Sequence, residues 1–248
     1  MRTSALTASK PTFGQSIWDL LNQADIRRAD DADEREAIFQ LRYRAYVEEN
    51  AIRPNPEQRF TDPYDETDNA WIFGVYINDE LASSIRLHVA TDEFPEMPSL
   101  DVFGDYLRPL LSAGQIIIDP TRHVVDRRMQ QRYPHLVYLT MRLGWIAGDY
   151  FGSDIILAAV RAEHQAFYRR VFGHRLVAPA RKYPLLEKPI SLMVLDFPRA
   201  HERVYTRYPF FRSTYVERRA LFQRLSVSQV IRQQEGSAHT PVAATSAA

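Results

Sequence analysis

Apolar positions along the chain follow two spacings, and the spacing predicts the element. Ile38, Leu41 and Ala45 recur at three- and four-residue intervals over residues 33–48, with Asp33 and Glu34 in the first turn. That pattern predicts a helix with one buried stripe and acidic residues at its positive end. Pro54 and Pro56 then impose an irregular loop. Residues 71–77 and 81–89 are rich in branched and aromatic side chains and flank Asn78-Asp79-Glu80, the pattern of a β-hairpin. A short helix is predicted over 102–111, ending near Gly114, with a strand over 115–125. Pro120 interrupts that strand. Proline has no N–H for the ladder, so a bulge or a parting of two strands is expected there.

Leu136, Leu139, Leu143, Ile146 and Tyr150 predict a helix over 135–151, Gly152 stops it, and 154–160 reads as a buried strand. Together with the preceding strand this is a β-α-β unit, normally right-handed. Another helix over 163–172 stops at Gly173, and strands follow over 174–180 and 190–197. The order predicts an α/β (α+β) fold, a mixed twisted sheet with helices on both faces. One domain is expected over 17–232, including a C-terminal helical extension. Residues 1–16 and 233–248 are expected to be disordered, because small and polar residues largely replace aromatic and branched ones there.

Composition narrows the class. The 248 residues are 45% hydrophobic, 12% aromatic and 25% charged, as in globular domains with a buried core. Basic and acidic side chains balance at 31 each, so no global field argues for nucleic acid. Cysteine is absent, which removes disulfides, thiolate metal sites and cysteine nucleophiles. The first residues lack the apolar stretch of a secretion signal, and the apolar segment 136–151 is interrupted by Arg142 and Asp149 and too short to span a membrane. A soluble, cytoplasmic protein is expected. The seven histidines show no metal-ligand spacing, and there is no GxGxxG or Walker loop, so no metal or nucleotide cofactor is expected.

Several charged residues fall where the apolar pattern predicts burial. Arg42 lies at the edge of the Ile38, Leu41, Ala45 stripe, and a buried guanidinium requires acceptors from elsewhere. Asp62 and Asp65 in the following acidic loop are the candidates, for an arginine or for a substrate ammonium; a solvated, capped turn is the alternative. Asp119 and Arg122 form a charged pair beside Ile116 to Ile118, either a site or a structural salt bridge at a strand end. Arg127, Arg128 and Arg132 follow, suited to phosphate or an acidic carrier protein, or simply solubilising. Tyr168 can protonate a leaving thiolate or serve only in packing.

In order and spacing, Phe39-Gln40-Leu41-Arg42-Tyr43-Arg44-Ala45-Tyr46, Asp62-Pro63-Tyr64-Asp65, Ser84-Ile85-Arg86-Leu87 and Ile118-Asp119-Pro120-Thr121-Arg122 resemble the autoinducer-synthase-like acyltransferases, and among them the N-acyl amino acid synthases. The resemblance covers roughly residues 30–198 and implies the acetyltransferase-like (GNAT-like) fold. It implies that a thioester arm enters where the strand at 115–125 splays from the strand at 154–160. Arg42, Asp62, Asp65, Arg86 and Arg122 match cleft-shaping positions, and Asp119 stands where the family usually has glutamate. Phe39, Tyr46 and the isoleucine strand are expected to line an acyl pocket, with Asp119 first and Asp65 second as general base. The loop 49–58 lacks the tryptophan of homoserine-lactone synthases, which favours an amino-acid acceptor over lactone synthesis from S-adenosylmethionine. Arg127-Arg128-Met129-Gln130-Gln131 replaces the Gly-rich pyrophosphate loop, which favours acyl-carrier protein over coenzyme A as the carrier of the acyl-thioester co-substrate. A non-catalytic module binding acyl-carrier protein or lipid is the remaining alternative.

Overall fold

A computed structural model describes residues 12–224. Among the described residues, seven strands form one sheet in the order β1-β2-β3-β4-β5-β7-β6. They are β1 (Ala24–Arg28), β2 (Ala70–Ile77), β3 (Glu80–Ala90), β4 (Ile117–Val125), β5 (Ile155–Val160), β6 (Arg175–Arg181) and β7 (Ile190–Asp196). Only β4 and β5 run parallel; every other neighbouring pair is antiparallel. The predicted hairpin is β2–β3, closed by Asn78 and Asp79 at φ 51° and 62°, the left-handed pair that a two-residue turn needs.

Helices cover both faces. On one side α1 (Phe13–Leu21), α5 (Leu136–Phe151), α7 (Phe197–Arg207) and α8 (Tyr215–Phe222) bury Ile17, Leu139, Leu143, Trp145, Val204 and Phe222 against the sheet. On the other, α3 (Pro98–Ser112) buries Leu100, Phe103 and Leu107 against Ile117, Leu157 and Leu192, beside α2 (Ala32–Glu48). Helix α5 ends at Gly152 in the left-handed conformation (φ 63°), as its glycine predicts. Its buried Arg142 bonds the Phe210 and Arg212 carbonyls and Glu217, so the charge that breaks the apolar run ties the C-terminal helices to the core.

Three elements carry weak sequence signals. Helix α1 starts inside the segment expected to be disordered, secured by a capping box of Thr12 and Gln15. Strand β1 has one branched residue among charged ones, the composition of an edge strand. The six-residue α4 (Arg127–Arg132) has no long periodic pattern. Residues 1–11 and 225–248, which hold the end of the domain expected to reach 232 and the tail expected over 233–248, lie outside the described residues. Among the described residues, no helix is long and apolar enough to cross a membrane.

The parting expected at Pro120 divides into two features. β4 pairs with β5 only at Ile117↔Ile155 and Ile118↔Ile156, so the strands separate immediately before the proline. On the opposite edge, the register with β3 shifts between Ser84 and Arg86, opposite Arg122, whose φ is 53°. A non-glycine residue in the left-handed region is uncommon, and its position in a bulge re-aims a side chain.

Candidate active site

Strand alternation sends Ile85, Leu87 and Val89 of β3 into the main core and Ser84, Arg86 and His88 to the face of α2 and α3. Arg86 is fully buried there, so it needs acceptors. The 3₁₀ turn Pro63–Glu66 supplies them: Asp62 and Asp65 cap each other's backbone in a capping box and aim both carboxylates inward. Arg86 Nη1 lies 2.6 Å from Asp62 Oδ1 and 2.8 Å from Asp65 Oδ1. Arg42 of α2 donates to both oxygens of Asp65 at 2.8 and 3.0 Å, and Thr61 Oγ1 adds a bond to Asp65 at 2.8 Å. Arg122 reaches Asp62 Oδ2 through Nε at 3.0 Å and Nη2 at 2.5 Å, over the Phe60 ring.

The result is a buried cluster of Arg42, Arg86 and Arg122 against Asp62 and Asp65. Burial opposes ionisation of both aspartates, yet the surrounding guanidinium groups hold them below the usual carboxylate range. Burial also lowers Arg42 to about 10, and its Nε and Nη2 have no hydrogen-bond partner among the described residues.

Asp119 stands apart from this cluster. The charged pair expected between Asp119 and Arg122 does not form: Arg122, in the bulge, pairs with Asp62 instead. Instead Asp119 Oδ1 accepts from Ser99 Oγ at 2.9 Å, and Oδ2 from the Ser99 amide at 3.1 Å, in the first turn of α3. Its side chain is completely enclosed, and burial raises it to about 6. Across the ladder, His88 bonds the Tyr64 carbonyl at 3.0 Å and is pushed down to about 3 by burial and by Arg86.

The separation of β4 from β5 opens a cavity of about 470 Å³ that crosses the sheet. On the α2 side its wall includes Tyr46, Arg86, Thr121, Arg122 and Tyr183; on the α5 side it includes Met141, Gly144, Trp145, Phe167 and Tyr168 of α5 and α6 (Gln165–Val171). Burial holds the Tyr168 phenol above its ordinary range. Phe39 does not line this cavity: it packs with Ala29, Ile38 and Ile72 and lies against Arg42. Ile117 and Ile118 are likewise core residues, which leaves Tyr46 alone of the expected acyl-pocket residues at the wall.

On α4, Asp126 caps the helix through the Arg128 and Met129 amides at 2.9 and 3.3 Å. Arg127 pairs with Glu48, Arg128 is exposed, and Arg132 lies over the Tyr133 ring. Sequence reasoning missed Ser99 and Tyr183. Nothing marks either one locally, since each matters through partners far away in the chain.

The model of the FeeM N-acyl amino acid synthase family matches residues 37–196, well over half of the chain. The chain belongs to that family. It is an N-acyltransferase with the GNAT-like fold. No curated protein matches it. Among solved structures, FeeM, an N-acyl amino acid synthase from uncultured soil microbes, is similar at 14% identity and a TM-score of 0.60, over 71% of this chain and 91% of that one. BjaI, a CoA-dependent acyl-homoserine lactone synthase, aligns at 17% identity and a TM-score of 0.52, over 75% of this chain and 89% of that one. TofI in a ternary complex with an inhibitor and MTA aligns at 14% and 0.50, over 70% and 91%. At these identities the structural likeness concerns the fold.

Proposed function

We propose that this N-acyltransferase is an N-acyl amino acid synthase, which moves a long-chain fatty-acyl group from an acyl-carrier-protein thioester to the α-amine of an amino acid. The observation that carries this reading is the cavity through the sheet, because its two limbs differ in chemistry. The limb bounded by Met141, Trp145 and Phe167 suits the thioester arm and hydrocarbon, while the limb bounded by Arg86 and Arg122 suits a zwitterionic acceptor.

Aminolysis requires the ammonium to lose a proton before nitrogen attacks the thioester carbonyl. Asp119 fits that role better than Asp65, whose oxygens are engaged by Arg42, Arg86 and Thr61. A carboxyl raised to about 6 is a better base near neutrality than an ordinary aspartate. Proton uptake by Asp119 also leaves the neighbouring three arginines facing only Asp62 and Asp65. The net positive charge then favours the oxyanion of the tetrahedral intermediate. Backbone N–H groups along the β4 edge freed beyond Ile118 are suited to the same task, and Tyr168 to protonating the departing thiolate.

The surface of α4 supports a carrier protein as the donor. Its capped amides are already occupied by Asp126, which disfavours a pyrophosphate there, whereas exposed Arg128 and Arg132, with Arg127, suit an acidic carrier protein. BjaI is described as CoA-dependent, so the two donors are to be compared directly. The test supplies palmitoyl-carrier protein or palmitoyl-CoA with each of the common amino acids and detects N-acyl products by mass spectrometry. Product from the carrier thioester is expected. Methylthioadenosine release with S-adenosylmethionine, without N-acyl amino acid, overturns the reading. Asp119→Ala is expected to cut turnover by roughly 100-fold or more, and near wild-type turnover rejects Asp119 as base.

A further inference from the structure

If Asp119 accepts the acceptor's proton, its position poses a problem. The carboxylate is completely enclosed and forms no part of the cavity wall; Ser99 is its only hydrogen-bond partner among the described side chains. A proton leaving an amine in the cavity therefore needs a carrier across that wall. A residue beside Asp119 meets the requirement. Tyr183, on the loop between β6 and β7, lines the cavity and is itself buried; its hydroxyl has no partner of full hydrogen-bond geometry among the described residues, and the Ser99 side chain stands near enough to act on the phenol. A buried, unsatisfied hydroxyl costs free energy unless a ligand or a moving proton uses it.

Tyr183 also forms the partition to a second, outer cavity of about 840 Å³, bounded by the 52–61 and 182–189 loops. Leu186 and Lys188 line both cavities with it. The two loops are tied by the Glu187 amide to the Ala51 carbonyl at 2.9 Å and by Arg53 to Glu187 at 3.1 Å. This entrance lies on the α2 side, away from the α5 and α6 limb.

We propose that Tyr183 is the group that meets the acceptor amine arriving through the outer cavity, and that it relays the amine's proton through Ser99 to Asp119. The inference rests on the synthase reading. In the relay, the ammonium proton passes to Tyr183 Oη as the phenolic proton passes to Ser99 Oγ and the Ser99 proton to Asp119 Oδ1. The carboxylate becomes a carboxylic acid, the two hydroxyls are regenerated, and the amine is left neutral. Its nitrogen then forms the C–N bond, the C–S bond breaks, and the second proton released from nitrogen goes to the sulfur.

Independent physical signs agree. After burial, the negative charge of Asp119 is the next cause that holds the Tyr183 phenol above its ordinary range, which places the two groups in one electrostatic environment. The other charged and titratable groups facing Asp119 are Arg86 and His88 of β3. His88 is kept neutral by burial and by Arg86, so Asp119 is the group that titrates near neutrality.

The test is Tyr183→Phe, which deletes one oxygen. Its aminolysis rate with an ordinary amino acid at pH 7 is expected to fall roughly 100-fold, while KM for the acyl thioester stays unchanged. The defect is expected to shrink with a weakly basic acceptor such as hydroxylamine, which needs no first deprotonation; a structural role does not produce that split. Should the variant fold poorly, Ser99→Ala supplies the same reading, and the double variant is expected to be no slower than either single one. Wild-type turnover and an unchanged acceptor dependence in Tyr183→Phe, or additive losses in the double variant, overturn the relay alone. Absence of acyl transfer by the wild-type chain to every amino acid overturns the synthase reading and the relay with it.

Discussion

The two faces of the sheet are held in opposite ways. Against α5 the contacts are hydrocarbon and aromatic ring, with Leu139, Leu143 and Ile146 completely buried. Against α2 the sheet buries Arg86 next to Arg42, Asp62 and Asp65, all of them at most 9% exposed. The first face gains from burial itself, about 25 cal/mol per Å² of apolar surface. The second pays desolvation and recovers it only while every partner stays in place. An arrangement with that cost is expected where charge serves a reaction, and it adjoins the cavity on the side where Arg86 and Arg122 reach the wall.

Removing one partner from the ionic face is expected to have the largest effect. Asp62→Asn leaves Arg86 and Arg122 without their shared carboxylate, and a loss of about 3–5 kcal/mol is expected in urea unfolding. Replacing Arg42 and Asp65 together by Met and Leu is expected to cost less than that: the desolvation cost of this pair leaves with its charges, and Arg86, which loses Asp65, keeps Asp62. A double variant as unstable as Asp62→Asn breaks the comparison. On the hydrocarbon face, Leu143→Ala leaves a cavity and is expected to cost about 3 kcal/mol. Leu143 lies off the cavity wall, so turnover per folded molecule should persist, whereas the ionic variants lose it.

A smaller effect separates the carboxylates by pH. Asp62 and Asp65 have lowered folded values, so their contribution is present above the ordinary aspartate value near 3.8 and is lost as pH falls through the lower folded values. Asp119 behaves inversely. Raised from 3.8 to about 6, it binds more protons folded than unfolded across that window. Its effect is therefore to lower stability as pH rises from about 4 to about 6. The buried histidines, pushed down to about 3 and about 4, oppose this trend in the wild-type curve. The difference between Asp119→Asn and wild type isolates the aspartate: relative to wild type, the variant should gain about 2–3 kcal/mol between pH 4 and 7. A difference that does not vary with pH removes Asp119 as a raised carboxyl.

Most of the architecture was legible because apolar spacing reports directly on strands and helices. The hairpin, α2, α5, β5 and the break at Pro120 all follow from local pattern. Arg42 was legible for the same reason, as a charge inside an apolar stripe. The register was not. Strict alternation sends residues 119 and 122 to opposite faces, and the bulge at Arg122 cancels that, so Arg122 joins Asp62 and Asp119 is left to Ser99. Phe39 shares the limitation: its helix face was predictable, but the Ala29 and Ile72 side chains that cover it come from other segments.

The smallest expected effect concerns the surface of α4, where neither face's logic applies. Arg128 and Arg132 contribute little to folding, since Arg128 is almost fully exposed and only 3.6 Å from Asp126 at best. Charge reversal of both residues to Glu is expected to leave the thermal midpoint unchanged. If the carrier protein docks there, the same change should raise KM for the carrier thioester several-fold, more so at low salt, because screening weakens contacts between exposed charges. KM for a short acyl-pantetheine thioester, which lacks the acidic protein, should not move. Equal changes with both donors transfer the effect from docking to the cavity, and no change with either removes α4 as the docking site.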